Sequence, residues 1–161
     1  MTFGPEGTGG ARVHEISTVG DILDEFKKFG YDELDTARSY CGGQEEGFIT
    51  QAGWKQRGMK MASKCYPVEA GGHSAEKLRA TLETSLKELK TDKIDLYYLH
   101  APDYTTPLAE TITIMDQLHK EGKVDVWGIS NFAVFDLCFV VSSDSSPGKS
   151  QKCAPSPVSV G

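Results

Sequence analysis

A short apolar run that closes on a polar residue returns about every thirty positions along this 161-residue chain. ELDTA holds Asp35, MKMASK ends in Lys64, DLYYLH ends in His100, and VWGISN ends in Ser130 and Asn131. Stretches with helical periodicity separate the runs, so the chain reads as repeated strand-then-helix units. Strands joined through helices lie parallel, and their C-terminal ends share one rim where catalytic groups collect. A carboxylate, a lysine and a histidine at one rim form a candidate active site. Tyr40, five residues beyond Asp35 in the loop after that strand, brings a phenol to the same place.

Five strands are predicted: the opening MTF, YDELDT at 31–36, MKMASK at 59–64, KIDLYYLH at 93–100 and VDVWGIS at 124–130. Between them, Val19, Ile22, Leu23, Phe26 and Phe29 recur at helical steps. Ala75, Leu78, Leu82, Leu86 and Leu89 do the same, with Ser74 placed to cap them. A third helix starts at Pro107, carries Leu108, Ile112, Met115 and Leu118 on one face and stops at Gly122. Gln44 to Arg57 reads as a less regular helix. The fold class is α/β, with parallel strands and outer helices. From Cys138 onward the composition changes: residues 138–161 hold seven serines and three prolines. Such a segment cannot bury enough apolar surface to offset its ordering entropy, so a disordered tail is expected after a folded unit at 1–137.

Composition excludes several functions. With 17 basic against 23 acidic side chains the net charge is −6, which gives no electrostatic footprint for nucleic acid or an anionic membrane. No apolar run approaches the roughly 20 residues that cross a bilayer, and MTFGPEGTGG lacks the features of a signal peptide, so a cytoplasmic location is expected. Cys41, Cys65, Cys138 and Cys153 form no CxxC pair and no ligand spacing with histidine, so free thiols and no metal are expected. His14, His73 and His119 are expected at the surface. The glycines of GPEGTGG fit neither a dinucleotide fingerprint nor a phosphate loop, and a turn accounts for them.

The chemistry of the rim follows from its side chains. A phenol is a poor acid at neutral pH, and a neighbouring ammonium stabilises its phenolate. Asp35 would hold Lys64 charged and oriented, and His100 could donate a hydrogen bond to a substrate oxygen. Such a set suits protonation of a carbonyl oxygen while a hydride arrives at its carbon, and the hydride must come from a cofactor. Taken singly, each residue has a plain structural reading. Their common place at strand ends favours a site.

These residues also carry a resemblance. DTARSY, MASK, YYLHAPD and GKVDVWGISNF resemble the motifs of the aldo-keto reductases, in particular the branch of the aflatoxin aldehyde reductases, over residues 1 to 137. The resemblance implies a (β/α)₈ barrel, NADPH as cofactor and reduction of aldehydes or ketones to alcohols. It implies Tyr40 as general acid, Lys64 as the group that lowers its pKa, Asp35 as the support of Lys64, and His100 as the group that orients the carbonyl. It further places Ser130 and Asn131 against the nicotinamide carboxamide and counts Asp35 among the cofactor-binding residues. A complete barrel takes about 250 residues, so a partial barrel of about five βα units is expected here, C-terminally truncated, without the family's late strands and its basic loop for the adenosine phosphate. The alternative implied by that shortfall is a catalytically inactive fragment that binds a fuller homologue or another partner. An oligomer or partner would then cover the open sheet edge.

Overall fold

A computed structural model describes residues 2–133 and Asp136. Helices and strands alternate in the order α1 (Ile16–Lys28), β1 (Glu33–Asp35), a short 3₁₀ turn (Tyr40–Gly43), α2 (Glu45–Gln51), β2 (Lys60–Cys65), α3 (Ala75–Leu89), β3 (Ile94–Leu99), α4 (Leu108–Lys120) and β4 (Val124–Ile129). The four strands form one parallel sheet in sequence order.

The strands alternate, and the alternation decides which side is packed. Met61, Ser63 and Cys65 of β2, and Tyr97 and Leu99 of β3, are buried on the helical side. Leu78, Leu82 and Leu86 of α3 and Ile114, Met115 and Leu118 of α4 fill the same core. The other side of the sheet carries Asp35, Lys64, Tyr98 and Val126, and Val126 is 57% exposed there. One layer of helices therefore covers one face of a curved parallel sheet, the arrangement of part of a (β/α)₈ barrel.

Several expectations need correction. The opening MTF does not join the sheet: Phe3 makes an isolated parallel bridge with Val13 instead. The backbone amides of Thr2 and Phe3 donate to the Glu45 carboxylate at 2.7 and 3.0 Å, so a side chain has taken the place of a strand partner. The intervening glycines form turns, as expected. Pro107 sits at the N-cap of α4 rather than at its first helical position. Ser74 holds the N-cap of α3 with extended backbone, but its hydroxyl makes no capping hydrogen bond. The irregular helix is only Glu45–Gln51, followed by turns up to Gly58. His73 is not a surface residue but is 1% exposed. The expected tail at 138–161, with Cys138 and Cys153, lies outside the described residues.

Candidate active site

The parallel ladder runs one residue past the ends of the strands. Thr36 N–H donates to the Ala62 carbonyl at 2.9 Å, His100 N–H to Cys65 at 2.9 Å and Ser130 N–H to Leu99 at 2.9 Å. Asp35, Lys64, His100 and Ser130 are thereby fixed at one level of the same rim, as the sequence spacing implied. The register pairs Lys64 with Tyr98 and Tyr98 with Gly128. Gly128 is needed there, because a Cβ would meet the Tyr98 ring at 3.0 Å.

Lys64 is the hub. Its ammonium donates to the Asp35 carboxylate, to the Thr36 carbonyl at 2.9 Å and to the Tyr40 hydroxyl at 3.4 Å. The side chain is 7% exposed, so nearly all of a charged group is out of water and these acceptors replace its hydration. Asp35 remains 59% exposed on the open side of the sheet. The Lys64 nitrogen also lies 4.9 Å from the centre of the Tyr40 ring and 6.0 Å from that of Tyr98. Tyr98, which sequence reasoning passed over as one of two consecutive strand tyrosines, is the floor of the site.

His100 stands between two aromatic edges, with Tyr40 and Tyr66 each at 5.5 Å between ring centres. Burial lowers its pKa, the Lys64 charge lowers it further, and Asp35 opposes both. At neutral pH the imidazole is therefore uncharged, with one N–H to give and one lone pair to accept. Its Nδ1 is buried without a protein partner. Asn131 donates to the His100 carbonyl at 2.7 Å and to the Ser130 hydroxyl oxygen at 3.1 Å, which ties the end of β4 to the end of β3. All six residues predicted from sequence reach the rim. Asp35, Tyr40, Lys64 and His100 form one contact cluster, while Ser130 and Asn131 lie beside it and touch it only through the His100 backbone.

Beneath the rim lies a polar layer that the sequence did not disclose. Glu45 and Glu46 are 3% and 0% exposed. Glu45 accepts from the Thr36 hydroxyl at 3.0 Å as well as from the two N-terminal amides, and Glu46 accepts from Arg38 and from the Ser63 hydroxyl at 2.5 Å. QEEG at the start of a helix reads as solvated; only the fold shows where these carboxylates end.

A cavity of about 330 Å³ lies outward of the cluster, between the loops after β3 and β4, and takes in His73, Asp103, Tyr104 and Phe132. None of the four clustered residues lines it. Among the described residues no group of His, Cys, Asp and Glu could hold a metal ion, and Cys41 and Cys65 are free thiols. No helix among them is long and apolar enough to cross a membrane.

Comparison with known proteins bears on the same residues. The model of the family described as "Aldo/keto reductase family" matches residues 1–155. Aflatoxin B1 aldehyde reductase member 2 of Mus musculus is 39% identical over 141 residues, covering 85% of this chain and 38% of that protein. Aldo-keto reductase family 7 member A3 of Homo sapiens is 37% identical, again over 85% of this chain and 43% of its own length. The chain thus spans about two fifths of the curated relatives it matches. An aldo-keto reductase from Klebsiella pneumoniae, solved in complex with NADPH, superposes with a TM-score of 0.67 at 33% identity, covering 76% of this chain and 42% of that one.

Proposed function

Because the chain belongs to the aldo/keto reductase family, we propose that it serves NADPH-dependent reduction of aldehydes or ketones to alcohols. The observation that carries this reading is the single ammonium of Lys64, held by Asp35 and set 3.4 Å from the Tyr40 hydroxyl.

The geometry is consistent with the following roles. Tyr40 gives its proton to the carbonyl oxygen. The phenolate that remains is stabilised by Lys64, whose ammonium is held in place by Asp35 and by the Thr36 carbonyl. The neutral His100 donates a hydrogen bond to the same oxygen and aligns it with the phenol. Ser130 and Asn131 offer a hydroxyl and an amide at the end of β4, a donor set that suits a carboxamide. They would hold the nicotinamide end of NADPH, which when bound supplies a hydride to the carbonyl carbon, and Asp35, at the end of β1 across the sheet and open to solvent, would contact the same cofactor. The free thiols Cys41 and Cys65 fit a reducing compartment, and a cytoplasmic location belongs to the same reading.

Loss of absorbance at 340 nm with a small aromatic or aliphatic aldehyde tests the reaction. NADPH consumption that depends on both the aldehyde and Tyr40 is expected. Consumption unchanged in Tyr40→Phe would remove the phenol from the mechanism.

A second reading has its own observation. The inner side of the sheet is open, with Val126 57% exposed and Leu96 and Tyr98 beside it, and β1 and β4 each have one unpaired edge among the described residues. An exposed apolar face with free edges suits association with a fuller homologue or another partner, with the chain itself catalytically silent. Titration calorimetry with NADPH separates the two readings. Binding at micromolar concentration supports the enzyme, and no binding supports the silent partner.

A further inference from the structure

We propose that Glu46 is a positioning residue for the Tyr40–Lys64 pair: it ties the strand that carries Lys64 to the loop that carries Tyr40, from the side of the sheet opposite the reacting groups. The inference rests on the reading of Tyr40 and Lys64 as the reacting pair and extends it to a residue that touches neither.

Glu46 is fully buried in the first turn of α2. One carboxylate oxygen accepts from the Ser63 hydroxyl at 2.5 Å and the other from the Arg38 guanidinium. Ser63 immediately precedes Lys64 on β2, so strand alternation turns the two side chains to opposite faces and one held from behind fixes the other in front. Arg38 lies two residues before Tyr40, and its own N–H donates to the Lys64 carbonyl at 3.1 Å. Each arm of the carboxylate therefore ends one or two residues from a reacting group.

The loop needs such a hold. Directly after Tyr40, Cys41, Gly42 and Gly43 take φ values of 50, 62 and 83°, three left-handed residues in succession. A left-handed cysteine is strained and persists only where its surroundings over-determine it. The Arg38 guanidinium fills the bend so closely that a Cβ on Gly43 would sit 2.7 Å from Nη2. Glu46 in turn fixes that guanidinium. The Ser63 bond ties α2 to β2 and the Arg38 bond ties it to the Tyr40 loop, so one carboxylate joins both. Its neighbour Glu45 has a different task, binding Thr36 and the N-terminal amides, so the side-chain tie behind the sheet, which adds to the direct bond from Arg38 N–H to the Lys64 carbonyl, passes through Glu46.

The test reads the phenol's surroundings without cofactor or turnover. The chain is labelled with 3-fluorotyrosine, and the ¹⁹F resonance of Tyr40 is identified by its loss in Tyr40→Phe. Lys64→Met should move that resonance, because it removes an ammonium 3.4 Å from the phenol oxygen. In Glu46→Gln the resonance should lie displaced toward the Lys64→Met position, and adding Lys64→Met should move it less than half as far as in the parent. Ser63→Ala deletes one hydroxyl and only the strand arm; it should give a smaller displacement in the same direction, and it decides the matter alone if Glu46→Gln does not fold. The full parental response in every folded variant would overturn the proposal and leave Glu46 as an anchor of α2. Where turnover is measurable, kcat in Glu46→Gln should fall about tenfold with KM for NADPH unchanged. No turnover in the parent counts against the proposed reaction and leaves the fluorine result standing.

Discussion

The Asn131 side chain donates to the main-chain carbonyl of His100 at 2.7 Å while its own backbone sits at φ 60°. One residue thus supplies both the turn that ends β4 and the bond that fastens this end to β3. Asn is among the few non-glycine residues that tolerate that region. Asn131→Ala should therefore lose about 1–2 kcal/mol from the hydrogen bond and the backbone strain combined, and Asn131→Gly less, since glycine relieves the strain. Denaturant unfolding measures both, and equal losses would show that the backbone contributes nothing.

Tyr40→Phe removes only the hydroxyl oxygen that Lys64 faces. Turnover should fall by at least about 10²-fold, the usual contribution of a general acid, with cofactor affinity nearly intact. Steady-state kinetics with calorimetry on the same protein gives both numbers. An unchanged rate would pass the acid's role to His100.

Acid should destabilise the fold from a pH above the carboxylate range. Burial lowers the pKa of His73, opposed by its bond to the Cys65 backbone and by Asp103, and burial with the Lys64 charge lowers that of His100. Both folded values lie below the unfolded 6.5. The unfolded chain then binds more protons as pH falls, so the stability is fully present above about pH 6.5 and is lost on descent through the folded values. Each group contributes at most about 1.4 kcal/mol per pH unit. Asp103 follows at lower pH. Burial acts to raise it, but hydrogen bonds from Thr105 and Thr106 and from the His73 and Thr105 amides hold it well below the usual carboxylate range. Melting temperature recorded from pH 7.5 to 5 should decline, and His73→Gln should flatten the decline. An identical slope in that variant would show that His73 binds protons equally in the folded and the unfolded chain.

Burial pushes the Cys65 thiol up to about 11 and raises that of Cys41 as well. At pH 8 about a thousandth of Cys65 is then thiolate, the reactive form. Neither thiol should react with a disulfide reagent in the folded protein within minutes, and both should react once it is unfolded. Fast native labelling of Cys65, followed by mass spectrometry, would contradict its burial.

The strands at 59–64, 93–100 and 124–130 and the residues that close them were legible because a parallel strand leaves a continuous trace: an apolar run, a polar stop, then a helix. Tyr40 was legible through its distance from Asp35. The opening strand was not, since MTF looks the same whether it pairs with a neighbour or with the Glu45 side chain. Nor was the burial of Glu45, Glu46 and His73, because polar residues carry no periodic sign of the partners that bury them. Ser63 is separated from Glu46 by 17 positions, and the contact exists only once β2 lies against α2.

The strand register pairs Lys64 with Tyr98 and Tyr98 with Gly128. A slip of one residue would turn Lys64 into the apolar layer and bring Ser63 to the front, so the identity of the working face is an all-or-nothing property of strand alignment. Side chains on that face can be exchanged one at a time while the alignment stands. New chemistry at the rim is therefore reachable by point changes, whereas an inserted or deleted residue within β2 or β3 would dissolve the arrangement of Lys64 and its neighbours in a single event.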